Sequence, residues 1–187
     1  HALCLMISFS DMAGTMPARI VALLHEAGGP DPDAVLAAFA TRQLAAGHRV
    51  RGLVALPHEA APTGRHMVLG DVADPTSRYP ISQALGPAAC GCNLDPRGVA
   101  DASEVLRRAV REPAELALAN RFGTLEAQGR GMADELLALM LAGIPLLIVV
   151  NTRYLAEWRD FTGGQALELP PSAAALQHWW DACRSTA

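Results

Sequence analysis

The stretch "PAELALANRFGTLEAQGRGMADELLALMLAGIPLLIVVN", residues 113–151, decides the fold. "ELALA" and "IPLLIVV" are short apolar runs bounded by turn residues, the pattern of buried strands. Between them, "EAQGRGMADELLALMLAG" (126–143) has the length and apolar content of a helix and stops at Gly143. One strand, one helix and one further strand make a parallel unit. The polar segment "NRFGTLEAQGRG" (120–131) interrupts it with a permanent cation, a carboxylate and three glycines at the end of a strand.

The same alternation extends outward. "ARIVALLH" (18–25) reads as a first strand, followed by a loop "EAGGPDPD" and a helix that Asp31 or Asp33 can cap and Gly47 ends. "HRVRGLVAL" is a second strand and "PHEAAPTG" (57–64) a loop. "RHMVLGDVADPTSRYPIS" reads as two short strands around a turn at "DPTS", a small antiparallel excursion. A long loop, "QALGPAACGCNLDPRG", leads to a helix with Asp95 as cap and Pro96 at its first position. After residue 151 come a short helix, a last strand at "QALELP" and a closing helix whose "HWW" packs its aromatics onto the sheet. The expected fold is a three-layer α/β domain, a mostly parallel sheet with helices on both faces. It spans residues 17–187, with residues 1–16 an expression remnant or an upstream extension.

Bulk properties exclude several classes of function. The chain has 187 residues, 51% of them hydrophobic, enough for one domain with a full core. No apolar run reaches the roughly 18 residues that span a bilayer, and no secretory leader precedes "ALCLMI", so a cytoplasmic location without membrane insertion is expected. A net charge of −4 gives no basic stripe for nucleic acid. All 15 cations are arginine, which excludes chemistry that needs a lysine of this chain. The close pair Cys90 and Cys92 lacks the spacing and the second pair of a zinc site, so no metal is expected and the cofactor is left open.

Ligands of such sheets bind beyond the carboxyl ends of the strands. Gly28 and Gly29 lie in the first such loop, where a phosphate-binding loop belongs. That loop has no lysine and no hydroxyl, Pro30 and Pro32 each remove an amide donor, and Asp31 and Asp33 would repel a polyphosphate. It reads either as a helix-capping turn or as an anion cradle of altered chemistry. At the end of the third strand Asn120 and Arg121 stand where a magnesium-binding acid would. Arg121 either pairs with Glu126 to pin the loop or holds an anion, helped by Arg130 and by the amides around Gly123, Gly129 and Gly131. Ser82 opens a long loop that could close over the ligand. His25 and His58, followed by Glu26 and Glu59, read as polar loop residues before ligands.

"ISQALGPAACGCNLDP", "LANRFGTLEAQGRGM" and "AGIPLLIVVN" together resemble a bacterial family known as domain of unknown function 2478. The resemblance implies a role in molybdenum handling, because members are often encoded beside molybdate-transport genes. It also implies a basic residue at the position of Thr124. More distantly the layout is similar to the small P-loop nucleoside-triphosphatases, with degenerate Walker motifs: Asn120 and Arg121 replace their acidic pair and Glu126 keeps their Glu. The expected function is therefore a non-catalytic binder of a small oxyanion such as molybdate, or of a phosphate-bearing ligand. One alternative is a divergent nucleoside-triphosphatase or phosphohydrolase, in which Glu126 is catalytic and Asp31, Asp33 or Glu26 hold a metal. Another is a protein-interaction module, acting as a homodimer or with a transporter component.

Overall fold

The computed structural model describes residues 18–57, 59–61, 64–83, 94–112 and 114–186. The expected N-terminal extension, His58, Cys90 and Cys92 lie outside the described residues. In chain order the elements are β1 (Ile20–His25), α1 (Pro32–Ala45), β2 (Val50–Ala55), β3 (Glu59–Ala61), β4 (Gly64–His66), β5 (Val68–Asp71) and β6 (Asp74–Pro80). They continue with α2 (Pro96–Arg111), β7 (Leu116–Phe122), α3 (Thr124–Ala127), α4 (Ala133–Leu141), β8 (Leu146–Asn151), α5 (Leu155–Thr162), β9 (Leu167–Leu169) and α6 (Ala173–Ser185).

The main sheet has the order β6-β5-β2-β7-β8-β1-β9. Its five strands from β2 to β9 are parallel, and β5 and β6 add an antiparallel edge. From β1 the chain crosses to β2 in one direction; from β2 through β7 and β8 to β9 it returns in the other. Right-handed crossovers then put the connecting helices on opposite faces. Leu36 and Phe39 of α1 accordingly share one core with Leu176, Trp179 and Trp180 of α6. Leu106 of α2, Leu136 of α4 and Trp158 of α5 fill the other. The α/β fold expected from the alternation is borne out, antiparallel excursion included.

Local chemistry explains most boundaries. Asp31 caps α1 through its side chain, which accepts the Asp33 N–H at 3.0 Å, and Asp95 does the same for α2 through the Arg97 N–H at 2.9 Å. The buried Asp71 carboxylate ties β5 to α2, accepting from the Arg108 guanidinium at 3.2 Å. Three boundaries differ from the sequence reading. The turn between β5 and β6 lies at Val72–Ala73, because Asp71 Oδ1 accepts the Ala73 N–H and closes the corner two residues early. "DPTS" then begins the edge strand β6, where Pro75 leaves no donor unpaired inside the sheet. Residues 59–61 and 64, expected as loop, join residues 65 and 66 in a three-residue antiparallel ladder too short to show alternation in sequence. The single helix expected over 126–143 is two, because Gly129 and Gly131 take φ of 72° and 61° between α3 and α4.

Gly52 is the tightest point of the sheet. Its φ is 124°, and a Cβ there would overlap the Leu118 carbonyl on β7. Gly52→Ala is expected to lower stability by about 3 kcal/mol or more, since both strain and the β2–β7 ladder are affected. Urea unfolding followed by tryptophan fluorescence measures this; a loss below about 1 kcal/mol would contradict the packing described.

Candidate functional site

β7 carries one residue too many. Leu118 pairs with Leu147 on β8, but the next pairs are Arg121 with Val149 and Phe122 with Val150, so three steps on β7 oppose two on β8. Asn120 takes up the excess at φ 66°, the one non-glycine residue with positive φ among the described residues. Asn tolerates this left-handed conformation better than most residues. The bulge inverts the facing of everything after it. Ala117 and Ala119 face the α2/α4/α5 core, so in an unbroken strand Arg121 would follow them into it. Instead Phe122 takes that side, edge-on to Trp158 with ring centroids 5.2 Å apart. Arg121 is turned toward α1.

There Arg121 joins the ends of two other elements. Its NH2 donates to Asp33 Oδ2 at 2.9 Å, and its NH1 lies 2.9 Å from His25 Nδ1 at the end of β1. A guanidinium nitrogen can only donate, so His25 Nδ1 is the acceptor in this contact. β1 is followed by a helix on one face and its neighbour β8 by a helix on the other, so the crevice between them is the topological switch point of the sheet. Arg121 reaches over this crevice from β7 and touches both flanks of the loop 26–31 that contains Gly28 and Gly29.

The structure does not pair Arg121 with Glu126. Glu126 sits at the third position of α3, where Oε2 accepts the Gly123 N–H at 3.0 Å and Oε1 the Met132 N–H at 3.1 Å. It is a brace that folds the 123–132 turn onto itself. Other backbone donors of this turn are used within it: Gly129 N–H bonds to Glu126 O and Arg130 N–H to Leu125 O. The exposed Arg130 side chain bonds to Gln128 Oε1 at 2.6 Å.

Two cavities open on this edge. One of about 290 Å³ is bordered by Asn120, Arg121, Gly123 and Glu126, and also by Asn151, Arg153 and Tyr154 at the end of β8. A second, of about 510 Å³, is bordered by Arg130, Gly131, Gln83 and α2. Arg121 and Arg130, expected to act together, thus border different cavities, which share Leu94, Val99 and Leu125. Ser82 lies beside them, bridged to Leu94, and its hydroxyl accepts the Met67 N–H at 3.0 Å. Gly29 borders a third cavity with Glu26 and Glu168, while Gly28 faces open space. Among the described residues no three His, Cys, Asp or Glu side chains gather to hold a metal, and no helix is long and apolar enough to cross a membrane.

The sequence reading placed a short helix after residue 151 and singled out none of the residues there. Arg153 lies over the Tyr154 ring, 4.8 Å from its centroid, and Tyr154 OH shares a 2.5 Å hydrogen bond with Thr124 Oγ1. Arg, Asn and Tyr clustered directly behind a buried strand are the signal that could have singled them out.

If the bulge depends on the left-handed residue, Asn120→Gly should leave thermal stability nearly unchanged. Asn120→Val should cost about 1–3 kcal/mol, the strain of a branched residue in that region. Equal unfolding midpoints for the two variants would mean that β7 does not need the bulge.

Comparison with known proteins agrees with this layout. A solved structure, the solution structure of a human cancer-related nucleoside triphosphatase, superposes with a TM-score of 0.56 at 16% identity, covering 90% of this chain and 97% of that one. The α/β fold is thus similar to that of a P-loop nucleoside-triphosphatase. A relative in Bradyrhizobium diazoefficiens, molybdenum import ATP-binding protein ModC 2, is 34% identical over 171 residues. That match takes up 91% of this chain and 19% of the relative, so the chain spans about a fifth of that protein's length. The family model described as protein of unknown function (DUF2478) matches residues 20–179, and the chain belongs to that family.

Proposed function

We propose that this chain is a non-catalytic binding module for a small oxyanion or a phosphate-bearing ligand, in the service of molybdenum handling. The observation that carries the reading is the placement of Arg121 over the switch-point crevice. His25 and Asp33 take two of the five guanidinium donors, which leaves the rest of the fork for an anion. Asp33 is only partly buried, so an incoming anion can share or displace it. Asn120, the residue preceding Arg121 on β7, borders the same cavity and offers a further donor. The relative named as a molybdenum import protein supports molybdate as the first anion to try.

Two features favour binding over turnover. Loop 26–31 and the first turn of α1 contain neither lysine nor Ser/Thr, the groups a phosphate-binding loop uses on outer phosphates and magnesium. Both oxygens of Glu126 already hold backbone amides and are poorly placed to orient water. Calorimetric titration with molybdate, with sulfate, phosphate and magnesium ATP as comparators, tests the reading. Micromolar molybdate binding is expected, with sulfate at least tenfold weaker. Arg121→Ala should weaken it by about ten- to a hundredfold, matching the ~1.5–3 kcal/mol of a charge-assisted hydrogen bond. Unchanged affinity in that variant would place the anion elsewhere.

The likeness in fold to a nucleoside triphosphatase favours one second reading, nucleotide binding with hydrolysis. It expects magnesium-dependent phosphate release that Glu126→Gln abolishes. Absence of release with ATP and GTP, under conditions where the titration detects molybdate, would leave the binding reading alone.

A further inference from the structure

The 290 Å³ cavity has two unlike ends. At one stand Asn120, Asn151, Arg153, Thr124 and Tyr154, from β7, β8 and the turns that follow them. The other is walled by Met67, Leu69 and Ile81 of the antiparallel excursion, with Val99 of α2 and Met132 before α4 closing it. Loops at strand ends alone would make a polar crevice. The excursion, packed along β2 and beside α2, supplies the apolar half.

A bare oxyanion does not match such a space. At ~30 Å³ per water, the cavity has room for roughly ten waters. A tetrahedral oxyanion is much smaller, offers only acceptors and is strongly hydrated, so apolar walls leave its desolvation uncompensated. Cavities near 300 Å³ with apolar walls and a few convergent polar groups suit small organic ligands. Two methionines in the wall offer adaptable, polarisable contacts that favour an aromatic partner. At the polar end Arg153 carries a charge that no carboxylate neutralises among the described residues, and the adjoining asparagines can donate or accept.

We infer that the cavity between the β7–β8 loops and the antiparallel excursion takes an organic anion: an aromatic ring system bearing a phosphate or similar head. The ring lies against Met67, Ile81 and Met132, and the head faces Arg153 and Asn120. This rests on the reading that the carboxyl edge of the sheet binds an anion, and it replaces the simple oxyanion by an amphiphilic one. The excursion then has a role as the specificity wall of the site.

The test uses matched probes on the purified chain: 1-naphthyl phosphate, inorganic phosphate, 1-naphthol and molybdate, each titrated by calorimetry. Naphthyl phosphate is expected to bind at least tenfold tighter than phosphate, molybdate or naphthol. Arg153→Ala, at an exposed residue, should weaken naphthyl phosphate about tenfold and leave naphthol unchanged. Val99→Phe, which fills the apolar end, should weaken naphthyl phosphate and spare molybdate; circular dichroism confirms that it folds. Molybdate or phosphate binding as tightly as naphthyl phosphate would overturn the inference while leaving the oxyanion reading intact. Naphthyl phosphate binding that ignores both substitutions would overturn it too, by placing the ligand outside the cavity. If none of the anions binds, both readings fall together.

Discussion

The single residue inserted in β7 is the constraint on which the edge of this sheet depends. A parallel strand between two helical layers has no freedom to choose a face: each step alternates. Through Ala119 the small residues of β7 lie under the α2/α4/α5 layer. Asn120 breaks that parity, and two consequences follow at once. Phe122 enters the aromatic group with Trp158 and Phe161, which fastens α5 to the sheet. Arg121 is carried out of the core and across β8 to the first strand and first helix. Without the bulge, a guanidinium would be driven into an apolar layer, at a cost no neighbour there could offset.

The same edge is divided by how its turns satisfy their own backbone. The segment 123–132 folds around Glu126, which holds the N–H groups of Gly123 and Met132, while Gly129 and Arg130 donate inside the turn. A loop that uses its amides internally is well ordered but has few left for a ligand. Charge and donors at the switch point therefore come from side chains instead: Arg121 from the bulged strand, Asn151 from the end of β8, and Arg153 and Tyr154 from the turn after it. This division of donors supports the anion-binding function proposed above.

Much was legible in the chain before any coordinates. Strand and helix alternation, a cap at Asp31 or Asp33 and one at Asp95, the stop at Gly143 and the family likeness carried by "LANRFGTLEAQGRGM" all depend on local sequence; each stands, with Asp31 the cap of α1. Where the reading departed, a local rule had met a competing local bond. The turn moved off "DPTS" because Asp71 closes its own corner. The helix over 126–143 split because two glycines followed a self-capping Glu126.

The sequence by itself determined the layers, because hydrophobic period and capping chemistry act over a few residues and need no partner. It also determined that any cation at the site must be arginine. Only the tertiary structure decided which arginines meet which partners. Arg121 finds Asp33, 88 residues away, and not Glu126, five residues away, because a bulge in one strand selects the face and strand order brings β1 within reach. Likewise the apolar wall from Met67 to Ile81 becomes part of the site only when the excursion pairs beside β2. Contacts of that kind depend on strand order and facing, which no short window of sequence records.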